Sequence, residues 1–306
     1  MKVLVAGGSG YIGRALAQAL RDSGDEVVVL TRDPGRALRS LPPGTRAVEW
    51  DARSPAGVWT GELRRAGAVV NLAGANIGAG RWTARRKHEL RQSRLDATAA
   101  VVGALGGVDA AARPAVLVNA SGVDYYGDRG DEVVTEASPP GDSFLARLCV
   151  DWEAAAREAE PLGVRVALMR TGVVFGRGAP ALARLALPFK LFGGGPLGSG
   201  RQWFSWIHLD DAIGLYRLAL ANGAAAGPIN LVAPDVRRER DLAREVGRVL
   251  HRPSWVPAPA FALKLALGEQ ADLVLHGRRA EPRKALALGY TFKYPRLAEA
   301  LAQALK

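Results

Sequence analysis

The sequence predicts an α/β fold, a doubly wound parallel sheet, on three observations. Short apolar runs alternate with helix-periodic stretches over residues 1–171, the order that builds right-handed βαβ units and a parallel sheet. The runs are apolar at consecutive positions, as in strands covered by helices on both faces. A glycine triad, Gly7, Gly10 and Gly13, stands between the first run and the first helical stretch, where a tight turn and close helix–strand packing are required.

The elements follow in order. VLVA (3–6) is a strand and residues 12–20 a helix; VVVL (27–30), AVEW (47–50) and AVVNLA (68–73) are strands. ELRQSRLDATAAVVGAL (89–105) places Leu90, Leu95, Thr98, Val102 and Leu105 near helical spacing. AVLVNAS (115–121) is strand-like, WEAAAREAEPLG (152–163) is a helix stopped at its Pro and Gly, and VRVALMR (164–170) is a strand. Beyond 171 a Gly- and Pro-rich stretch loses periodicity. DDAIGLYRLAL (210–220) then reads as a helix and GPINLVAP (227–234) as one more strand. Residues 235–306 read as short helices broken by Pro253, Pro257, Pro259, Pro282 and Pro295.

Composition narrows the function. With 306 residues, 48% hydrophobic and 23% charged, the chain has the make-up of a soluble protein with a large core. No apolar run reaches bilayer-spanning length and no signal peptide opens the sequence, so a cytoplasmic location and no membrane partner are expected. Cys149 is the only cysteine, and His88, His208, His251 and His276 are scattered; no disulfide and no metal site are expected. The net charge of +11 raises a nucleic-acid reading. Seven lysines leave 34 of the 41 basic residues as arginine, spread along the chain with one denser run at 81–94, and no specific nucleic-acid partner is expected.

The glycine loop carries the first chemistry. In VLVAGGSGYIG, Gly7 allows the turn, Gly10 lets the backbone approach a pyrophosphate, and Gly13 lets helix and strand touch. Gly7, Ser9, Gly10, Tyr11, Ile12 and Gly13 are thus candidate cofactor ligands, with the helix N-terminus facing the phosphates. The second strand ends Leu30-Thr31-Arg32-Asp33. A guanidinium there suits a 2′-phosphate and favours NADP over NAD; the other reading gives Asp33 the ribose. Asp51, after the third strand, either meets the adenine or caps a helix.

NLAG (71–74), NASGVDYYG (119–127), RTGVVFG (170–176) and WIHLDDA (206–212) join VAGGSGYIG in an order that resembles the extended short-chain dehydrogenase/reductase family. NLAGANIGAGRWTARRKHELRQSRLDAT (71–98), LCVDWEAAA (148–156) and RPSWVPAPAFALKLALGE (252–269) are similar to its sugar-epimerase-like subgroup with an atypical active site. That resemblance implies a Rossmann-type NADP-binding domain over 1–171 with return elements about 206–233, a smaller C-terminal substrate domain from 172–205 and 234–306, a cleft between the two, and a nicotinamide cofactor contacted by Thr31, Arg32, Leu72, Ala73, Gly74 and Arg94. Read from the residues alone, Arg94 either reaches the pyrophosphate or lies on a solvated helix face.

The wider family works with a Ser or Thr, a Tyr, and a Lys four residues after the Tyr. Here the corresponding helix reads SFLARLCVDWE (143–153). One register puts Leu145 and Cys149 in the two places, the other Phe144 and Leu148. Neither supplies a phenol or an amine, and Cys149 reads as a small core residue. The acid–base group is therefore expected from SGVDYYGDR (121–129): Tyr126 at the nicotinamide edge, Ser121 orienting a carbonyl or hydroxyl, and Asp124 as the other polar group. Two functions remain. One is an NADP-dependent oxidoreductase or epimerase acting on a small sugar-like or carbonyl substrate, with a homodimer among its open assemblies. The other is an NADP(H)-binding redox sensor or partner-binding module.

Overall fold

The computed structural model describes residues 1–306. Seven strands, β1 (Lys2–Ala6), β2 (Glu26–Thr31), β3 (Arg46–Glu49), β4 (Ala68–Asn71), β5 (Val116–Gly122), β6 (Arg165–Thr171) and β7 (Gly227–Leu231), form one sheet in the order β7-β6-β5-β4-β1-β2-β3. Every neighbouring pair is parallel. The order reverses between β1 and β4, and the crevice outside the carboxyl ends at such a point is where these sheets bind ligands.

Four helices cover the sheet: α1 (Tyr11–Asp22), α2 (Ala84–Gly106), α3 (Phe144–Arg157) and α4 (Leu209–Ala221). Strand alternation makes two cores. Val3, Val5, Val27, Val29 and Val118 face Leu16 and Leu20 of α1 and Leu215 of α4. Leu4, Val28, Leu30, Val69 and Leu117 face Ala97, Val101 and Leu105 of α2 and Ala156 of α3, with Trp50 and Trp59 closing the edge. A one-residue slip in any strand would exchange its two apolar sets, which pins the register.

Two helices start earlier than their periodicity predicts. Thr83 caps α2 by accepting the Arg86 N–H at 3.2 Å, and Ser143 caps α3 by accepting the Ala146 N–H at 3.1 Å. In α3 the early turns hold Leu145, Leu148 and Cys149, which read as unpatterned because they line a cavity instead of the sheet, while Phe144 packs against Trp82.

A third core lies beyond the sheet. Phe175, Leu182, Phe189 and Phe204 pack with Leu242 and Val246 of helix Glu239–Leu250 and with Leu297 and Leu301 of helix Leu297–Ala304. Residues from 172–205 and from the C-terminal segment thus share one apolar cluster. No helix is long and apolar enough to cross a membrane.

Glu239 opens helix Glu239–Leu250 with only 3% of its surface exposed. Its carboxylate accepts the Leu197 N–H at 2.9 Å, while burial pushes its pKa up to about 7. The folded state therefore favours the protonated acid. Its stabilisation is complete below the ordinary carboxyl range near 4.5 and is lost as pH rises to about 7. Glu239→Gln is expected to match the parent in stability near pH 4.5 and exceed it by up to about 3 kcal/mol above pH 7. Chemical denaturation across that pH range reads the difference directly; a gap that does not vary with pH would refute it.

Candidate active site

β1 turns at Gly7, whose φ of +74° is open to glycine and strained for other residues. A Cβ on Gly7 would stand 2.8 Å from the carbonyl carbon of Leu72, and one on Gly13 would stand 2.6 Å from the Cα of Gly8. Only glycine lets the loop sit this close to β4 and α1. Gly10 is the N-cap of α1 and brings no side-chain acceptor, so the first-turn N–H groups of α1 face the crevice with the positive end of the helix dipole.

A cavity of about 340 Å³ opens at this loop. Gly7, Gly10, Tyr11, Ile12, Gly13, Leu72, Arg94 and Ser121 line it. The other expected contacts stand close to it in the fold. Ser9 lies inside the glycine loop, and Gly7 donates to the Leu30 carbonyl at 3.4 Å, which sets the end of β2 with Thr31 and Arg32 beside it. Ala73 lies against Gly7, and Gly74 lies against Arg94, whose Cγ is 3.0 Å from where a Cβ would be.

The charged groups sort themselves by their bonds. Asp33 caps the short helix Pro34–Leu38 by accepting the Arg36 N–H at 2.9 Å. Arg32 beside it is exposed, and both charges stand at the end of β2 without an ion-pair partner. Asp51 accepts the N–H groups of Ser54 and Arg53, both at 2.8 Å, and these bonds hold its carboxyl below the usual range; they close a local turn, and the next helical element starts only at Val58 with Gly57 as its N-cap. Arg94 donates to the carbonyls of Ala75 (3.1 Å) and Leu90 (2.9 Å), and its guanidinium lies 5.0 Å from the Trp152 ring. Burial lowers its pKa. Arg94 therefore turns inward to the cavity, and an anion there would relieve its desolvation.

Beyond the loop, the carboxyl ends of β5 and β6 carry a buried polar chain. Ser121 Oγ donates to Glu153 Oε1 at 2.7 Å. Glu153 pairs with Arg170 through two bonds of 2.8 Å, with both side chains almost fully buried. Arg170 Nη1 donates to the Tyr126 hydroxyl at 3.0 Å, and Tyr126 donates to Asn230 Oδ1 at 2.7 Å. The Arg170 guanidinium stacks 3.4 Å from the Tyr125 ring.

This network overturns one expectation. Tyr126 does not stand at the nicotinamide edge: it is fully buried in a cluster with Val123, Val134 and Val232, and it is absent from the cavity wall. A 3₁₀ turn over Val123–Tyr126 carries it past the end of β5 and under the surface. Burial pushes its pKa up to about 12, against the opposing pull of Arg170, so it is a structural phenol. Ser121 and Asp124 do reach the cavity. Asp124 Oδ1 accepts from Arg278 of the C-terminal segment, and its Oδ2 lies near Gly122.

The opposite wall is apolar. Leu145, Leu148, Cys149 and Trp152 present one face of α3 to the cavity, with Ile77 beside them. Leu145 and Cys149 both line the wall and Phe144 does not, which selects the first of the two registers. Burial pushes the Cys149 thiol up to about 12, so it stays protonated and is no nucleophile. Thr171 and Tyr216 also line the cavity. The sequence did not single them out, although Thr171 at the carboxyl end of β6 sits where such sheets place ligand contacts.

Tyr126→Phe is expected to lower unfolding free energy by about 1–2 kcal/mol through two lost buried hydrogen bonds, with dinucleotide affinity unchanged. Glu153→Gln should cost about 3–5 kcal/mol, since it strands the Arg170 charge. Urea denaturation and dinucleotide titration check both; a tenfold loss of affinity in Tyr126→Phe at unchanged stability would contradict the placement of this phenol.

Comparison with known proteins agrees with this architecture. The profile of the NAD dependent epimerase/dehydratase family matches residues 3–232, and that of a domain of unknown function, DUF1731, matches residues 258–304. The chain is 44% identical over 305 residues to the chloroplastic epimerase family protein SDR39U1 homolog of Arabidopsis thaliana, covering 98% of this chain and 86% of that one. It is 36% identical to epimerase family protein YfhF of Bacillus subtilis, covering 99% and 97%. Among solved structures, human SDR39U1 (isoform 2) with NADPH superposes with a TM-score of 0.87 at 36% identity, covering 99% of each chain. A UDP-glucuronic acid 4-epimerase of Bacillus cereus with NAD shares the fold alone, at 18% identity and a TM-score of 0.79. The chain belongs to the NAD dependent epimerase/dehydratase family, the extended short-chain dehydrogenase/reductases, and carries that DUF1731 domain at its C-terminus.

Proposed function

We propose that the protein is an NADP-dependent oxidoreductase or epimerase of the cytoplasm, acting on a small sugar-like or carbonyl substrate with Ser121 and Asp124 as its polar working groups. The observation that carries the reading is that Ser121 and Asp124 line the same cavity as the glycine loop and Arg94.

The residues present fit NADP. The glycine loop, the first turn of α1 and Arg94 would hold the pyrophosphate. Arg32 would hold the 2′-phosphate by a bidentate, charge-assisted contact. NADPH in the human relative's structure supports the phosphorylated cofactor. When bound, the nicotinamide gives or takes a hydride.

The chain's own residues do the rest. Ser121 commits its proton to Glu153, so its lone pairs are left to accept a substrate hydroxyl. Arg170 pins Glu153 by both oxygens, which fixes that direction before substrate arrives. Asp124 takes or returns a proton at Oδ2, since Oδ1 is bound by Arg278. Leu145, Leu148 and Trp152 limit water on the facing wall, which strengthens these polar contacts.

The apolar face of α3 favours a second reading, an NADP(H)-binding redox sensor or partner-binding module, because the usual phenol and amine positions hold Leu145 and Cys149.

NADPH is expected to bind about 5- to 150-fold more tightly than NADH, a difference of about 1–3 kcal/mol, and Arg32→Ala should remove most of it. Equal titration of both cofactors by the parent protein would exclude this role for Arg32. Deuteride transfer from 4-deuterated NADPH to a panel of aldoses, nucleotide sugars and small carbonyls, followed by mass spectrometry, tests the chemistry. Asp124→Asn and Ser121→Ala should each lower turnover about 10²-fold while NADPH affinity holds. Tight NADPH binding with no transfer to any of these acceptors would favour the sensor.

A further inference from the structure

The exposed apolar side chains of this protein are not scattered. Six of the ten large ones, Leu187, Leu191, Phe192, Trp255, Phe261 and Leu265, come from two segments of the C-terminal half. The structure brings these segments together. Residues 192–198 run beside 252–258: the Val256 N–H donates to the Gly194 carbonyl at 3.1 Å, Leu197 bridges Ala258, and the Arg252 guanidinium lies 4.5 Å over the Phe192 ring. Helix Ala260–Leu267, sequence AFALKLAL, follows directly and has no buried residue. Phe261 and Leu265 are 75% and 79% exposed and Trp255 77%, far more than isolated surface apolars need.

The charge of the same region is one-sided. Residues 172–209 and 246–268 contain no Asp or Glu, yet they carry seven Arg and Lys residues. Lys190, Arg252 and Lys264 are exposed among the apolar side chains. The first carboxylate past the patch, Glu269, is paired with Lys87 at 2.6 Å. An apolar helix exposed beside Trp255 and surrounded by cations offers both apolar area to bury and attraction for acidic headgroups, the two contributions that set interfacial binding. A second copy would bring cations onto cations, which disfavours self-association through this face.

We propose that the surface formed by helix Ala260–Leu267, Trp255 and the 187–192 segment docks peripherally on an anionic lipid bilayer. Phe261, Leu265 and Trp255 enter the headgroup boundary, and Lys190, Arg252 and Lys264 meet acidic lipid. Each such cation strengthens partitioning by about fivefold. The contact is reversible and salt-sensitive, and it needs no spanning helix.

Flotation with large unilamellar vesicles tests it, using phosphatidylcholine alone against phosphatidylcholine with about 30% phosphatidylserine. The parent protein should float with the anionic vesicles only and release as NaCl is raised to about 0.5 M. Phe261→Ser/Leu265→Ser should weaken binding at least tenfold, and Lys190→Glu/Lys264→Glu should weaken it further, with thermal melting unchanged because all four side chains are exposed. Absence of flotation at low salt overturns the proposal. So does equal flotation of parent and both variants, or a concentration-dependent dimer in sedimentation velocity that Phe261→Ser/Leu265→Ser dissolves, which would assign the face to a second copy.

Discussion

The Glu153–Arg170 ion pair is the contact on which the candidate site rests. Two charges taken almost completely out of water are costly, and only full bonding offsets that cost. Both Glu153 oxygens and three Arg170 nitrogens are engaged. The pair joins α3 to β6, turns the Ser121 hydroxyl, and fixes Tyr126, whose bond to Asn230 reaches β7. Asn230 donates onward to the Glu281 carbonyl at 2.9 Å. One buried network therefore sets the depth of α3 over the sheet and the seat of the C-terminal segment.

Beside this polar chain, the remaining wall is hydrocarbon. The face of α3 that could have supplied a phenol and an amine supplies Leu145, Leu148, Cys149 and Trp152. The polar side chains of the cavity lie instead at the end of β5, where Ser121 and Asp124 line it. Asp124 and its partner Arg278 bring the C-terminal segment to the cavity wall, so the polar groups there depend on contacts between distant parts of the chain.

The sheet was legible because its strands announce themselves by uninterrupted apolar runs and by glycine at Gly7 and Gly13, where sterics leave no choice. The glycine loop was legible for the same reason: local geometry dictates residue type. The polar network beyond it was not. A two-residue aromatic pair reads alike whether Tyr126 points at a ligand or into the core, and only the 3₁₀ turn decides. The partnership of Glu153 with Arg170 links a helix to a strand with no sequence signal. Asp51 and Asp33 illustrate a milder ambiguity, since an acid after a strand suits a ribose or an open backbone N–H equally well. Periodicity alone starts α3 late, because its first apolar residues face a cavity and break the amphipathic pattern of a surface helix; only the family resemblance puts residues 143–153 in that helix.

Arg94 ties the lifetime of the chain to its ligand. The side chain lies at the cavity with its charge partly stripped of water and with two carbonyls and the Trp152 ring, but no carboxylate, as partners. Without an anion the fold carries that desolvation as a standing deficit; with one, the deficit is relieved. A ligand that binds only the folded state at a hundred times its Kd adds about 2.7 kcal/mol to stability. A shift of that size changes how often a protein opens and meets proteases. With Arg94 as a ligand of the anionic dinucleotide, the cellular level of this protein would follow the supply of that dinucleotide.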